Sequence, residues 1–190
     1  MSVLAVSLIR RDGGTQSRAE LRSETVAEYG QAYLDGVTMP PVVVFFDGTA
    51  YWLADGFHRT AGAYTVGVLD IPADVRQGTR RDAILFSVGA NDAHGLRRTN
   101  ADKRRAVMTL LADEEWAMKS DRWIAKACAV SDMLVAGLRP KQLQDSCSSP
   151  PARTGLDGKT RRMATPKAAA PAEPAKPEAL PSRPHAGRHG

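Results

Sequence analysis

The sequence has few cysteines and no long apolar run. Two cysteines, Cys128 and Cys147, are too few for a disulfide framework or a thiolate zinc site. No apolar run approaches the roughly 20 residues that cross a membrane. The short apolar start at residues 3–9 precedes Arg10 and Arg11, whereas a signal peptide places its charge first. We therefore expect a cytoplasmic protein without membrane insertion.

Positive charge is confined to the C-terminal end. Residues 1–140 contain 17 basic and 17 acidic side chains, whereas residues 141–190 contain 9 and 4 and so carry the whole formal charge of +5. The same fifty residues hold 8 of the 12 prolines. Such a composition buries too little apolar surface to offset the entropy of ordering. It predicts a disordered, basic, Pro/Ala-rich tail over 141–190.

Turn residues and apolar periodicity predict an α+β protein with a mixed sheet, followed by a helical region. The predicted strands are 3–9, a hairpin of 41–46 and 50–54 around Asp47-Gly48, and 71–75. One helix is predicted to begin near Thr25, with a capping box to Glu28, and another covers 57–66. Further helices are predicted at about 79–89, 100–112 with Asn100 as cap, 114–119, 121–128 and 131–138.

The segment from Asp55 to Ala63 contains the clearest chemical motif. It follows a predicted strand and opens a helix, and Gly56 has no side chain to block a close approach. A helix start offers unpaired N–H groups and partial positive charge, which suit a phosphate. His58 adds a titratable donor and Arg59 a permanent charge. The alternative is an ordinary strand-to-helix turn with a surface arginine.

The order of several such segments resembles the ParB/sulfiredoxin superfamily. The resemblance covers about residues 3–112 and rests on Gln16-Ser17-Arg18, Pro40-Pro41-Val42-Val43-Val44, Gly56-Phe57-His58-Arg59, Ile71-Pro72-Ala73-Asp74-Val75, Gly89-Ala90-Asn91 and Leu96-Arg97-Arg98-Thr99. It implies three parts: a nucleotide-binding and nuclease domain at 1–112, a helix-turn-helix-like region at 113–140, and the tail.

The resemblance also implies a nucleotide pocket. Sulfiredoxins carry their reactive cysteine where this chain has Phe57, so sulfiredoxin activity is excluded. His58-Arg59 matches the phosphate-binding end of the sulfiredoxin motif, which favours ATP, with Mg²⁺, over the CTP of chromosomal partition proteins. The implied nucleotide-binding residues are Arg18, Gly56, Phe57, His58, Arg59 and Thr60.

Within the superfamily, the chain is most similar to plasmid-encoded fertility-inhibition proteins. That similarity implies an ATPase and DNase that degrades DNA destined for type IV secretion and so blocks conjugation or T-DNA transfer. A secretion coupling protein or a relaxase–DNA complex would be its partner. The implied catalytic residues are His58 and Arg59, together with a carboxylate drawn from Asp55, Glu20 and Glu28, which the sequence does not rank.

Residues 97–138 indicate contact with DNA. Ala125, Ala129 and Val135 have helix-turn-helix spacing, with Ser131 capping the second helix. The candidate DNA-binding residues are Arg97, Arg98, Lys103, Arg104, Arg122 and Lys126, and Arg139 is a further phosphate contact. A second helix poor in Arg, Asn and Gln predicts binding that is salt-dependent and not sequence-specific. The alternative is a solvated helix face above an ordinary helical bundle.

Two readings compete with the nuclease. One is a non-catalytic, nucleotide-gated DNA-binding protein of partition or regulatory type, which the helix-turn-helix pattern favours. The other is a scaffold whose tail blocks a secretion coupling protein. Gly158-Lys159-Thr160 imitates the end of a P-loop, but Arg153 stands where that motif requires glycine. His94 lies in a turn-rich loop, where an exposed histidine is the simplest interpretation.

Overall fold

A mixed five-stranded sheet forms the first part of the computed structural model, which describes residues 2–90, 97–139 and 152–162. Its strands are β1 (Ser2–Ala5), β2 (Ile9–Arg10), β3 (Val42–Phe46), β4 (Tyr51–Asp55) and β5 (Asp70–Gln77). They lie in the order β1-β5-β3-β4-β2. β3 is central, parallel to β5 and antiparallel to β4 in the predicted hairpin. The predicted α+β class and mixed sheet are therefore confirmed.

Two helices, α1 (Ser23–Leu34) and α2 (Phe57–Thr65), pack against each other beside the sheet. Glycines allow their close approach: a Cβ built on Gly62 would lie 2.8 Å from the Gly30 nitrogen and 2.9 Å from the Val26 oxygen. Below them, one core joins the sheet to α2 through Val42, Leu53, Ala63 and Ile71, all fully buried. This packing holds the start of α2 at the end of β4.

Five further helices form a second core. They are α3 (Arg80–Gly89), α4 (Asn100–Leu111), α5 (Glu114–Ala117), α6 (Asp121–Cys128) and α7 (Asp132–Leu138). Val88 of α3 and Val107 and Leu110 of α4 are buried in the same cluster as Ile124 and Val135. Packing therefore groups α4 with the helices that follow it. The family resemblance instead implies a domain boundary after α4, at residue 112.

The pair α6 and α7 has the predicted helix-turn-helix form. Ala129 follows α6 in the left-handed conformation, with φ of 50° and ψ of 54°, and makes the turn. The small Ala125 is buried where the helices meet, and Val135 is completely buried. Ser131 accepts a hydrogen bond from the Leu134 N–H and so caps α7.

Two predicted helix starts need correction. Thr99, not Asn100, caps α4: its hydroxyl accepts the Asp102 N–H, and the Asp102 carboxylate accepts the Thr99 N–H. This reciprocal pair satisfies two N–H groups at once, which Asn100 inside the helix does not. Helix α1 begins at Ser23, and Arg22 at its N-cap makes no side-chain capping bond, so the expected Thr25 capping box is not its start.

Part of the predicted disordered tail is ordered. Residues 152–162 form a hairpin of β6 (Ala152–Thr154) and β7 (Thr160–Arg162), with Gly158 at its turn. Composition underestimates the order of this segment because it counts only the segment's own apolar residues. Contacts with the helical unit hold the hairpin in place. The rest of the predicted tail, with Cys147, and the loop containing His94 lie outside the described residues.

No helix in the described ranges combines the length and the apolar character that crossing a membrane requires.

Matched glycine substitutions test the contact between α1 and α2. Gly62→Ala places a Cβ against the backbone of α1, so we expect it to lower the free energy of unfolding by about 1–3 kcal/mol. Gly137→Ala, in α7 with open space around it, should raise that free energy by about 0.5–1 kcal/mol. Urea unfolding of both variants measures the two shifts. Equal effects would show that helix propensity, and not the close approach, determines the result.

Candidate functional site

A pocket of about 260 Å³ opens where the loop before α1 meets the end of β4 and the start of α2. The two prolines before β3 form another side of it. The residues that line it are Gln16, Ser17, Arg18, Thr25, Tyr29, Pro40, Pro41, Ala54, Asp55, Gly56, Phe57, His58 and Arg59. The Gly56 motif and the Gln16 motif, which are forty residues apart in the sequence, therefore lie in one site.

Gly56 allows the backbone to turn tightly into the pocket. Its φ is +95°, and a Cβ there would lie 2.6 Å from Val42 Cγ1 and 3.1 Å from Arg59 Nη2. Glycine is the residue that adopts this conformation without strain. The first residues of α2 thus line the pocket, where the helix start provides partial positive charge for an anion.

Arg59 is fixed in the pocket wall by acceptors from two segments. Its Nη1 donates to the carbonyl oxygens of Pro40 and Pro41, and its Nη2 lies 3.4 Å from Asp55 Oδ2. Its side chain is mostly buried. The guanidinium therefore both attaches the proline segment to α2 and presents a positive charge to the pocket.

His58 lies in the pocket wall and accepts a hydrogen bond from the backbone before α1. Its Nε2 accepts the Arg22 N–H at 3.1 Å, so this nitrogen carries no proton. Burial, and then the charges of Arg18 and Arg22, lower the pKa of His58 below its ordinary 6.5, against a weaker opposing effect of Asp102. At Nε2 the imidazole therefore holds the residue before α1 as an acceptor, and the catalytic and nucleotide-binding roles of His58 stay predictions.

Arg18 connects the pocket to helix α4. The arginine is buried in the pocket wall and lies 3.7 Å from Asp102 Oδ2. Asp102 also accepts the Ala19 N–H at 2.8 Å and the Thr99 N–H at 2.9 Å. Burial alone would raise the pKa of Asp102, but these two N–H groups, the Thr99 hydroxyl and Arg18 together lower it. One ionised carboxylate thus attaches the pocket loop to the first turn of α4.

The remaining predicted nucleotide and catalytic residues divide by position. Phe57 and Asp55 line the pocket, although most of the Phe57 ring is buried in the sheet core. Thr60 is completely buried and donates to the Gly56 carbonyl, so its hydroxyl is turned into the protein. Glu20 and Glu28 are exposed and lie outside the pocket wall. The described residues contain no cluster of three or more His, Cys, Asp or Glu that could hold a metal ion.

Several pocket residues were missed by sequence reasoning. Asp102, which lies behind the pocket and not in its lining, has no predicted role, although Thr99 three residues before it gives the form of a capping box. Gln16 was noted only as part of a motif. Its Nε2 is buried with no hydrogen-bond partner among the described residues, at the pocket wall. Tyr29 and Thr25 gave no local signal.

A second groove, of about 350 Å³, lies between the start of α4 and the start of α7. It is lined by Asn100, Lys103, Arg104, Val130, Ser131 and Leu134. Two predicted DNA-binding residues therefore face the helix-turn-helix. Arg97 is exposed before α4, and Arg122 and Lys126 are exposed on α6. This part of the predicted basic surface is present in the structure.

Two arginines assigned to that surface have internal roles. Arg98 donates to the Cys128 carbonyl at 2.9 Å and so supports the end of α6. Arg139 is buried and donates to Asp121 and to the carbonyls of Ala117 and Lys119. Each of these two arginines thus has an acceptor within the protein, and their contacts with phosphates stay a prediction.

Two curated proteins are similar to this chain. No family model matches it. The transcriptional regulator NovG of Streptomyces niveus is 30% identical over 162 residues, which are 84% of this chain and 45% of that protein. A possible regulatory protein of the streptomycin biosynthesis operon of Streptomyces griseus is 30% identical over 133 residues, which are 67% and 35%. The chain thus spans less than half the length of these relatives.

Solved structures that align with the chain include a C-terminally truncated chromosome-partitioning protein ParB from Caulobacter crescentus. Its complex with CTP-γ-S aligns with a TM-score of 0.43 at 16% identity over 75% of this chain and 81% of that chain. Its complex with the centromeric parS site gives 0.48 at 16% identity over 76% and 75%. Sulfiredoxin from Arabidopsis thaliana gives 0.37 at 20% identity over 43% and 92%.

The lowered pKa of Asp102 predicts a pH-dependent contribution to stability. Because its folded-state pKa lies below the ordinary 3.8, the stabilisation is fully present above that value and is lost as the pH falls through the folded-state pKa. We expect Asp102→Asn to lower the melting temperature at pH 7, and the difference from the wild type to shrink in strongly acidic buffer. Glu28→Gln, at an exposed position, is the control. A difference that stayed constant down to the lowest pH would contradict the role of the charge.

Proposed function

We propose that the protein is a nucleotide-gated, DNA-binding protein of regulatory type. The pocket supports this proposal because it combines a glycine turn, a helix start and two arginines, a donor set suited to phosphate. The second groove supports it because Lys103 and Arg104 lie beside a helix-turn-helix. The relatives described as regulators add to this support.

The attachment of both sites to α4 is the observation that carries the proposal. Asp102 in the first turn of α4 binds the pocket loop through Arg18 and the Ala19 N–H. Lys103 and Arg104, the next two residues, line the groove beside α7. A phosphate in the pocket competes with Asp102 for Arg18, so nucleotide binding changes the restraint on the turn that carries the DNA-facing cations.

The pocket residues fit the phosphate chain of a nucleotide. Arg18, Arg59 and the amides at the start of α2 would hold its oxygens, and a Mg²⁺ bound to the phosphates would have Asp55 as a nearby protein carboxylate. The volume of about 260 Å³ lies slightly below the roughly 300–1,000 Å³ of ligand pockets. This size fits a site that encloses phosphates and leaves the base at the rim. ATP and CTP are both candidates, and the unpartnered amide of Gln16 is a donor for either.

The ATPase and DNase expected from the resemblance remain predictions. Of the three candidate carboxylates, Asp55 is the one at the pocket, where it accepts from Arg59. His58 is neutral and already accepts a backbone hydrogen bond. Both observations favour a site that binds a nucleotide over one that moves protons. Release of phosphate from ATP and cleavage of linear DNA, measured with Mg²⁺, test the enzyme directly.

The experiment measures DNA affinity with no nucleotide, with ATP and with CTP, each with Mg²⁺. We expect one nucleotide to change the Kd for a DNA duplex by about 5–150-fold, the usual range of coupling between two sites. In Asp102→Asn, the same nucleotide should still bind, but its effect on DNA affinity should be reduced or lost. Fluorescence anisotropy of labelled DNA and of labelled nucleotide gives the two affinities separately.

Asp82→Asn is the matched control. Asp82 forms a capping box with Thr79 on α3, as Asp102 does with Thr99 on α4, but its hydrogen bonds go to Thr79 and not to the pocket loop. Its variant should keep the nucleotide effect. A DNA affinity that no nucleotide changes would overturn the gating. DNA that is cut, and not merely bound, would replace the regulatory proposal with the nuclease.

A further inference from the structure

The β6–β7 hairpin depends on the helical unit for its stability. Each strand has three residues, and an isolated two-stranded hairpin is marginally stable in water. Its inner strand is held by two backbone hydrogen bonds: the Ser120 N–H donates to the Thr154 carbonyl at 2.9 Å, and the Thr154 N–H donates to the Met118 carbonyl at 3.0 Å. The hairpin is thus attached to the residues directly before α6.

A buried charge cluster makes this attachment specific. Asp121, the first residue of α6, lies 3.2 Å from Arg153 of β6 and 2.8 Å from Arg139, which follows α7. Both arginine side chains are nearly buried. Three segments therefore meet at one carboxylate, and the hairpin has a fixed position relative to both helices of the helix-turn-helix.

The charge of the hairpin divides into an internal part and an exposed part. Its eleven residues include four basic side chains and one acidic side chain, a net charge of +3. Arg153 binds Asp121, and Arg161 binds Asp157 through two hydrogen bonds of 3.0 and 2.6 Å. Lys159 and Arg162 are exposed, and no carboxylate in the described ranges forms an ion pair with either.

The strand register directs Arg162 away from the helices. Arg161 pairs with Arg153, and Arg162 pairs with Ala152. Because side chains alternate across a strand, Arg162 lies on the face opposite Arg153, and Arg153 is the residue that contacts α6. Arg162 therefore does not take part in the contact between the hairpin and the helices. Its exposed guanidinium is available to an external anion.

We propose that this hairpin is a second DNA-backbone contact, in which Lys159 and Arg162 bind phosphates beside the helix-turn-helix. The inference rests on the proposed DNA binding. The partner is duplex DNA because Arg122 and Lys126 are exposed on α6, the helix to which the hairpin is attached. A duplex presents one charge per about 1.7 Å along its axis, so one molecule can contact cations on both elements.

The test is a salt titration of the full chain with a short labelled duplex. Each phosphate contact adds about 0.9 to the slope of log K against log salt. Lys159→Ala combined with Arg162→Ala should therefore lower that slope by about 1.8. Lys159→Arg with Arg162→Lys, which keeps both charges, should retain the slope. Circular dichroism of each variant shows that the fold is unchanged, as expected for two exposed positions.

Two further variants separate the possible outcomes. Arg10→Ala with Arg11→Ala removes the same charge from the sheet unit and should leave the slope unchanged; an equal loss there would overturn the hairpin contact. Lys103→Ala with Arg104→Ala tests the groove. If the groove variant lowers the slope and the hairpin variant does not, the hairpin inference fails and the DNA-binding proposal stands. If the wild type does not bind the duplex, both fail.

Discussion

The ionised, buried carboxylate of Asp102 is the constraint on which both sites depend. It accepts N–H groups from the pocket loop and from the helix cap, and it pairs with Arg18. A buried ion pair costs desolvation of both charges, and apolar residues of similar size often stabilise a fold as well or better. Stability alone therefore does not require this pair. The pair joins the loop at residues 16–19 to α4. An apolar contact could join them as well, but an anion would not compete with it.

Several other arginines also join separate segments of the molecule, so the number of basic residues does not equal the number of cations at the surface. Arg59, Arg98, Arg139 and Arg153 each donate to a carbonyl or a carboxylate of another segment. Guanidinium groups suit this work because they offer five donors in a rigid plane and stay charged when buried. A count of basic residues therefore overestimates the surface available to DNA. Exposed cations remain on α4, on α6 and on the hairpin, and also on the sheet unit, where Arg10 and Arg11 lie.

Local sequence signals predicted the elements, and contacts between distant residues decided the site. The Asp47-Gly48 turn predicted the hairpin, and Gly56 predicted the start of α2, because each feature acts within a few residues. The partner of His58, the Arg22 N–H, is 36 positions away and gives no local signal. The hairpin at 152–162 was missed for the same reason: Asp121 and the backbone before α6 hold it. Composition shows how much apolar surface a segment can bury by itself. The hairpin is stabilised instead by its contacts with the helical unit.

The balance of charge at Arg18 explains how a nucleotide could act through α4. Asp102 offers one negative charge at 3.7 Å, a separation longer than a direct hydrogen bond. A triphosphate brings several charges and competes strongly for the same guanidinium, even when bound Mg²⁺ neutralises part of them. Asp102 would then keep the Ala19 and Thr99 N–H groups but lose part of the pairing that offsets its burial. Linkage makes the effect reciprocal: if the nucleotide changes DNA affinity, DNA changes nucleotide affinity by the same factor. Burial lowers the pKa of His58, so near neutral pH this residue adds no positive charge that would compete with Arg18 for the anion.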